Sequence, residues 1–547
     1  MQRWNACWGR CAAKVRSSNP VLSIVNNRFR TTDWLLLVAV CAFFFFWKLS
    51  SFGLIGADEP RYAQVAREML ARHDFVTPTL SGTAWLEKPP LYYWQAMAAY
   101  RIFGVSDWAA RLPSACDAFL LVLAVYCFFR RFRPGIELDA ALMLATAAGV
   151  VGYSRAASMD MALAVTFTIA MLAWFAWLET ENRGYLAAFY GFLALAMLAK
   201  GPVAPFLAAV IIATFAVLQG SVRIAWKTLW VPGIALFCAI GLPWYVAVQV
   251  RNSQFCRVFI LEHNLARFGT NLYHHPEPFW YYVPVSLVGW VPWSIFVNAA
   301  LIATARQIRK ADSDLLNAFL LVWILVFVVF FSISQSKLPG YVLPAIPAGV
   351  ALAAQYLRVK MSGKPGLVIA AVHALLLASV LFSAIFVRDI MTFHHVAWSR
   401  GLTIPVAVVA SYAVLMAVLL QRFGYRVLRV TTLALVVVAL ALALRSGSQM
   451  LDDSLSARPV ANALAQYDPH HLPMAVFLVP RETEFGLQFY RDQTVSRYEL
   501  NQIPSGEHLV VAARGFQKGV AKAAGRKPIY LRDFPQQKLE YFYVPAR

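Results

Sequence analysis

The stretch Gly56-Ala57-Asp58-Glu59-Pro60-Arg61-Tyr62 sets acids, a guanidinium and a phenol side by side. It follows directly on an apolar run, Trp34 to Leu49, long enough with its flanks to cross a bilayer. A second polar cluster follows at Trp85-Leu86-Glu87-Lys88-Pro89-Pro90. Ionisable groups at membrane depth are costly, so they usually mark a site. A carboxylate such as Asp58 can serve as a general base, and a cation such as Lys88 can neutralise a phosphate leaving group. The plainer alternative is that Asp58 and Glu59 only end a helix in water.

These residues must be positioned by apolar helices. The chain has 547 residues, 60% hydrophobic and 14% charged, where a soluble protein has about 25% charged residues. That makes it a polytopic membrane protein. Further spans are expected at 108–129, 137–153, 159–178, 185–199, 202–219, 229–250, 280–302, 315–334, 341–357, 366–387, 402–420 and 428–445. With the first, the expectation is about 13 crossings. The net charge of +21 is explained by basic loops on the cytoplasmic side, not by nucleic acid. Arg130-Arg131, Arg183, Arg223, Arg306, Arg358 and Arg422 all alternate onto that side. The N-terminal segment 1–32 is basic and is expected inside, as the flank of an uncleaved signal anchor.

That orientation puts the first loop, 51–106, outside. Helical spacing from Glu59 to Arg72 and from Leu91 to Phe103 predicts two helices lying along the membrane surface. A second outside loop, 251–279, adds Glu262-His263-Asn264 and Arg267. Arg155, Asp160, Lys200, Lys337 and Tyr341 also fall at outside ends of spans. The lopsided polarity predicts one extracytoplasmic site, where no nucleotide pool supplies an activated donor. A transferase there needs a donor that arrives in the lipid, such as a polyprenyl-phosphate sugar. Residues 446–547 change character: Met474–Val479, Leu509–Ala513 and Lys538–Val544 are expected strands, and Glu484–Tyr490 and Phe516–Ala524 short helices. No nucleotide-binding fingerprint is present. The seven cysteines show no pairing pattern and are expected mostly as small buried hydrophobes.

Asp58-Glu59-Pro60-Arg61-Tyr62, then Trp85-Leu86-Glu87-Lys88-Pro89-Pro90-Leu91-Tyr92-Tyr93, resembles the GT-C glycosyltransferases of the protein O-mannosyltransferase and aminoarabinose transferase superfamily. Ser154-Arg155, Met159-Asp160, Ala199-Lys200-Gly201-Pro202, Glu262-His263-Asn264 with Arg267-Phe268, and Ser336-Lys337-Leu338-Pro339-Gly340-Tyr341 extend the match over roughly residues 30 to 450. The lipid A aminoarabinose transferases are the nearest branch. The resemblance implies a mostly α integral membrane protein of GT-C type, with a catalytic domain at 33–445 and a soluble periplasmic α/β domain at 446–547. It implies inverting transfer of 4-amino-4-deoxy-L-arabinose from undecaprenyl phosphate to a lipid A phosphate, and with it polymyxin resistance. The expected place is the bacterial inner membrane, with the site facing the periplasm.

Carried over residue by residue, the resemblance makes Asp58 the essential acid, with Glu87 and Asp160 beside it. Lys88, Arg267 and Tyr341 match positions that hold the lipid phosphate; Arg61, Tyr62, Lys200 and Lys337 are further substrate-binding candidates. The expected partners are the undecaprenyl-phosphate-linked sugar, lipid A and membrane lipids, with no nucleic acid, on a monomer. An acid cluster suits the ammonium group of the aminosugar. No cofactor is expected to be required; a divalent metal such as zinc at Glu87 and His263 is the exception considered, although Glu262 and His263 are adjacent and lack the i, i+4 spacing of zinc helices.

Plainer readings stand beside these. Lys88 with Glu87 can be a surface pair of little worth, Asp160 a favourable acid at a helix start, Lys200 and Arg267 snorkelling cations, and Tyr341 a belt aromatic. The rival functions are a transferase acting on protein hydroxyls and a lipid or sugar flippase. A flippase would carry its polar residues near the midplane, often in repeated halves; neither is seen.

Overall fold

The structure, a computed structural model, describes residues 31–266, 277–310, 314–360, 367–385, 400–468 and 471–546. The chain enters through α1 (Thr31–Cys41), which continues as a π turn over Ala42–Phe46. Next comes α2 (Asp58–Ala71), with Asp58 and Glu59 in its first turn, where acids suit the helix dipole. Its buried face is Tyr62, Val65, Ala66 and Met69, the spacing of one helical stripe. A small hairpin pairs β1 (Thr79–Leu80) with β2 (Thr83–Ala84). Glu68 on α2 fixes that hairpin, accepting from Thr79 Oγ1 at 2.7 Å and from the Ser81 amide at 2.7 Å. The Pro89-Pro90 pair then precedes α3 (Leu91–Phe103), which stops at Gly104 with φ of 79°.

The bundle that follows is α4 (Asp107–Phe132), α5 (Glu137–Ala145), α6 (Ala148–Ser154), α7 (Asp160–Thr180), α8 (Arg183–Lys200), α9 (Val203–Leu218), α10 (Val222–Thr228) and α11 (Val231–Arg251). It continues with α12 (Tyr282–Gly289), α13 (Ser294–Arg309), α14 (Leu315–Ile333), α15 (Ile346–Lys360), α16 (Leu367–Ile385), α17 (Arg400–Phe423) and α18 (Leu428–Leu455). Among the described residues, 7 helices are long and apolar enough to cross a membrane, or 8 if a bent pair counts as one span. Shorter apolar helices lie at Thr32–Phe46, Val203–Leu218 and Ala407–Phe423. The protein is thus a multi-pass membrane protein.

Two expected spans are not straight crossings. The one at 280–302 is bent by 118° between its halves, and the one at 137–153 is broken between α5 and α6. The two interruptions meet. The Ala148 amide donates to the Val291 carbonyl at 2.8 Å, and Trp293 Nε1 donates to Thr146 Oγ1 at 2.9 Å. A Cβ on Gly149 would lie 3.2 Å from the Gly289 Cα. Non-helical backbone at membrane depth survives only when protein satisfies it, and here each break supplies partners to the other.

The cysteines also depart from expectation. Cys41 is buried, but Cys116, Cys127 and Cys256 are exposed; Cys116 and Cys127 lie on α4.

Helix α18 runs through the boundary expected at 445 and ends at Leu455. Beyond it lie α19 (Arg458–Ala465), β3 (Met474–Phe477), α20 (Arg481–Arg491), β4 (Val495–Arg497), β5 (His508–Ala513), α21 (Gln517–Ala524), β6 (Ile529–Phe534) and β7 (Leu539–Val544). The sheet order is β4-β3-β5-β7-β6. The β3 strand is parallel to β4 and β5, and β7 is antiparallel to β5 and β6. Alternation sends Met474, Val476, Leu509 and Val511 to a core shared with Val460, Leu464 and Leu487. Ala475, Val510 and Ala512 face Val520 and Ala524 on the other side. Helices therefore cover both faces, the layering of an α/β unit. The expected strands were right in kind, and the edge strands β4 and β6 and helix α19 are additions.

Candidate functional site

The first turn of α2 begins the site. Arg61 donates to Asp58 one turn back. The Asp58 side chain is 54% exposed and that of Arg61 13%, so the carboxylate faces outward while its cation is held inside. Three rings surround the guanidinium: Tyr62 at 5.2 Å, Trp85 at 4.9 Å and Phe485 at 5.7 Å from Cζ. All lie within cation–π range. Burial works against the Arg61 charge, but Tyr62, Asp58 and Glu87 outweigh it and leave the pKa above the ordinary value. Burial, with Asp58 nearby, pushes the Tyr62 hydroxyl up, so it stays a neutral donor.

The second part comes from α7 and α8. Asp160 starts α7 and Lys200 ends α8, and the two form an ion pair. The Lys200 ammonium sits 4.9 Å from the Tyr341 ring centroid. Tyr341 belongs to the 3-10 turn Pro339–Ala345 and packs on Phe331 at 5.0 Å. Asp160 and Asp58 both act electrostatically on Tyr62 and on Tyr153, which ties the two parts into one cluster.

Gly340 is the tight point. A Cβ there would fall 2.6 Å from Asp160 Oδ1 and 2.8 Å from the Tyr153 hydroxyl. Gly340→Ala must displace the Asp160 carboxylate or the turn. We expect a loss of about 10-fold or more in activity at unchanged expression, since small misplacements in a reacting geometry are amplified. Equal activity per mole of folded protein would remove Gly340 from the site.

Glu87, 23% exposed in its side chain, lies 3.6 Å from His263 Nε2. Among the described residues no group of three or more His, Cys, Asp or Glu side chains could hold a metal. Among the described residues, the zinc considered at Glu87 and His263 therefore finds no third ligand of the kind a zinc site uses. Lys88 follows on the same loop and is partly buried. Lys337, 6% exposed, donates to the Ser334 carbonyl at 2.6 Å and to the Glu277 carbonyl at 3.0 Å. Its ammonium thus knits two loops together, a role the sequence did not suggest. Arg267 lies outside the described residues.

Other polar residues prove structural. Glu59 turns inward to Arg111, a residue of 0% exposure, with Nη2 at 2.6 Å. Arg155 donates to the Phe44 and Lys48 carbonyls at 3.1 and 2.7 Å. Tyr153 and Phe485 were missed. Tyr153 lies just before the quoted Ser154-Arg155, while Phe485 lies in a region without any matched motif. Around the guanidinium, Arg61 Nε, Trp85 Nε1 and the Tyr93 hydroxyl are buried and find no hydrogen-bond partner among the described residues. Donors left in this way suit a ligand rich in acceptor oxygens.

The chain is also similar to proteins already known. The profile for dolichyl-phosphate-mannose-protein mannosyltransferases matches residues 87–246. A Pseudomonas aeruginosa protein named undecaprenyl phosphate-alpha-4-amino-4-deoxy-L-arabinose arabinosyl transferase is 30% identical over 328 residues, 58% of each chain. A Yersinia pestis protein of the same name is 31% identical over 306 residues, 54% of each chain. The chain thus spans 58% of the length of the first of these curated relatives. Among solved structures, ArnT from Cupriavidus metallidurans bound to undecaprenyl phosphate superposes with a TM-score of 0.76 at 22% identity, over 94% of this chain and 98% of that one. Its apo form gives 0.76 at 21%. The fold is shared over nearly the whole chain.

Proposed function

We propose that this ArnT-like chain of GT-C fold is an inverting glycosyltransferase that moves 4-amino-4-deoxy-L-arabinose from undecaprenyl phosphate to a lipid A phosphate. The observation that carries the reading is the convergence of Asp58–Arg61 and Asp160–Lys200–Tyr341 at the end of the bundle that bears the C-terminal sheet. The names of the relatives supply the substrate class. Basic loops on the opposite side support a bacterial inner-membrane protein with site and sheet in the periplasm.

In the proposed reaction the bond from the sugar's anomeric carbon to the donor phosphate breaks. Its electron pair leaves with undecaprenyl phosphate, while a lipid A phosphate oxygen bonds to the opposite face of that carbon. The acceptor is already anionic and needs positioning more than deprotonation. Lys88, Arg267 and Tyr341 hold the departing phosphate. Asp58, aimed by Arg61, steadies the positive charge that develops on the sugar, and Glu87 and Asp160 face its ammonium group. With side-chain cations on the leaving group, this route calls for no metal.

The test is mass spectrometry of lipid A from a strain lacking its own transferase, with and without this gene. A mass increase of one aminoarabinose per modified phosphate is expected, together with polymyxin resistance. An unchanged lipid A profile from well-expressed protein removes the reading; sugar on protein hydroxyls instead would favour the mannosyltransferase-like alternative. In the same strain Lys88→Ala is expected to abolish resistance while leaving the protein in the membrane. Retained resistance would count against the phosphate role of Lys88.

A further inference from the structure

The C-terminal unit touches the candidate site directly. Helix α20 lies against α2, and Phe485 completes the aromatic enclosure of Arg61 at 5.7 Å. Several contacts hold this arrangement. Before α2, the Leu54 amide donates to the Tyr490 hydroxyl at 2.7 Å. Along α2, Arg67 donates to the Phe489 carbonyl at 2.8 Å and pairs with Asp492 at 2.6 Å. On the hairpin, Gln488 Nε2 donates to Ser81 Oγ at 3.0 Å. Arg458 on α19 reaches Asp107 at the start of α4 at 2.7 Å and the Ser50 carbonyl at 3.1 Å. The approach is close: a Cβ on Gly53 would meet the Tyr490 hydroxyl at 2.6 Å and Arg458 Cβ at 2.9 Å.

We propose that the C-terminal unit holds the site in its working geometry, and that Phe485 is a positioning residue for the Arg61–Asp58 pair. This rests on the transferase reading above. The Asp58 carboxylate is half-exposed, so packing does not fix it; its orientation comes from Arg61. Arg61 in turn is fixed by three rings, and Phe485 is the one supplied from outside the first loop. The same helix α20 grips the hairpin that leads into Trp85, Glu87 and Lys88. The two halves of the first loop thus share one brace. A surface loop left to itself opens locally at little cost, and a reacting geometry displaced by about 1 Å loses about 100-fold in rate.

Phe485→Ala is expected to lower kcat per folded enzyme about 10-fold or more, with the KM for undecaprenyl-phosphate aminoarabinose within about twofold, because the phosphate contacts lie elsewhere. Phe485→Tyr, which keeps the ring, should restore most of the loss. A purely structural role would lower the amount of folded protein, and Ala and Tyr would not separate in kcat; that result, or an unchanged kcat in Phe485→Ala, overturns the proposal. Hydrogen exchange read on the 57–70 peptide gives an arm independent of the reaction. Faster exchange in Phe485→Ala, and not in Phe485→Tyr, is expected. Unchanged exchange overturns the positioning role whatever the protein catalyses. Altered exchange beside a wild type that transfers no sugar upholds the brace and overturns the proposed reaction alone.

Discussion

Asp58→Asn is expected to lower kcat for sugar transfer about 1000-fold, the scale set by removing a group that meets charge only in the transition state. The substitution keeps size and an oxygen for Arg61 to donate to, so the fold should survive. It removes the negative charge from a carboxylate that faces outward at the start of α2, the one acid of that turn left available. Its neighbour Glu59 cannot replace it, because that carboxylate is committed inward to Arg111. In the proposed reaction the phosphate of the donor is held by other residues, so its KM is expected to stay within about threefold; a loss in kcat at constant KM marks an interaction made in the transition state. Purified protein in nanodiscs, undecaprenyl-phosphate aminoarabinose and lipid A, followed by mass spectrometry, give both constants. A variant with raised KM and normal kcat would make Asp58 a ground-state sugar ligand. A fully active variant would remove the acid from the mechanism.

The motif Asp58–Tyr62 was legible because its chemistry is written locally: acids, Arg and Tyr within one helical turn, next to an apolar run. Helix α2 itself begins within a residue of its expected start, since the stripe from Tyr62 to Met69 has the period of a buried helix face. The division of labour between Asp58 and Glu59 was not legible. Adjacent residues on a helix point about 100° apart, and only Arg111, fifty-two positions away, decides which acid is buried. The bent pair at 282–309 was missed for a related reason. Hydropathy measures length and composition, and Phe279–Gly289 with Ser294–Arg309 has enough of both. At the bend the Ala148 amide, far off in the chain, satisfies the freed Val291 carbonyl, and Thr146 Oγ1 accepts from the Trp293 indole. Lysine at a membrane edge is conspicuous in sequence as a substrate-binding candidate, but the carbonyls that Lys337 donates to, at 277 and 334, come from loops that carry no signal of their own. Phe485 could not be suspected from an α/β segment without a matched motif, since one aromatic in an amphipathic helix is ordinarily core.

Arg111→Ala is expected to destabilise the protein by about 3–5 kcal/mol, the cost of breaking a buried ion pair by removing one partner. Arg111 has 0% exposure and donates to Glu59 through both Nε and Nη2, at 3.2 and 2.6 Å. It also donates to the carbonyls of Leu49 at 3.1 Å, Phe52 at 2.7 Å and Gly53 at 2.8 Å. Truncation strands a carboxylate and three carbonyls away from water, and each such group carries its own desolvation cost. Those carbonyls belong to the segment that leads from the first apolar run into α2, so Arg111 also sets the entry to Asp58. Lysine cannot serve as a substitute: it lacks the planar fork that reaches a carboxylate and main chain together. Adding Glu59→Gln to Arg111→Ala should recover part of the loss, because it removes the stranded charge, and the double variant should be more stable than the sum of the singles by about 1 kcal/mol or more. Denaturant unfolding in detergent micelles, followed by tryptophan fluorescence, measures all three variants. Additive effects of the two substitutions would show that Glu59 and Arg111 are not coupled, and a shift below about 1 kcal/mol for Arg111→Ala would show that the carbonyls it serves reach other partners.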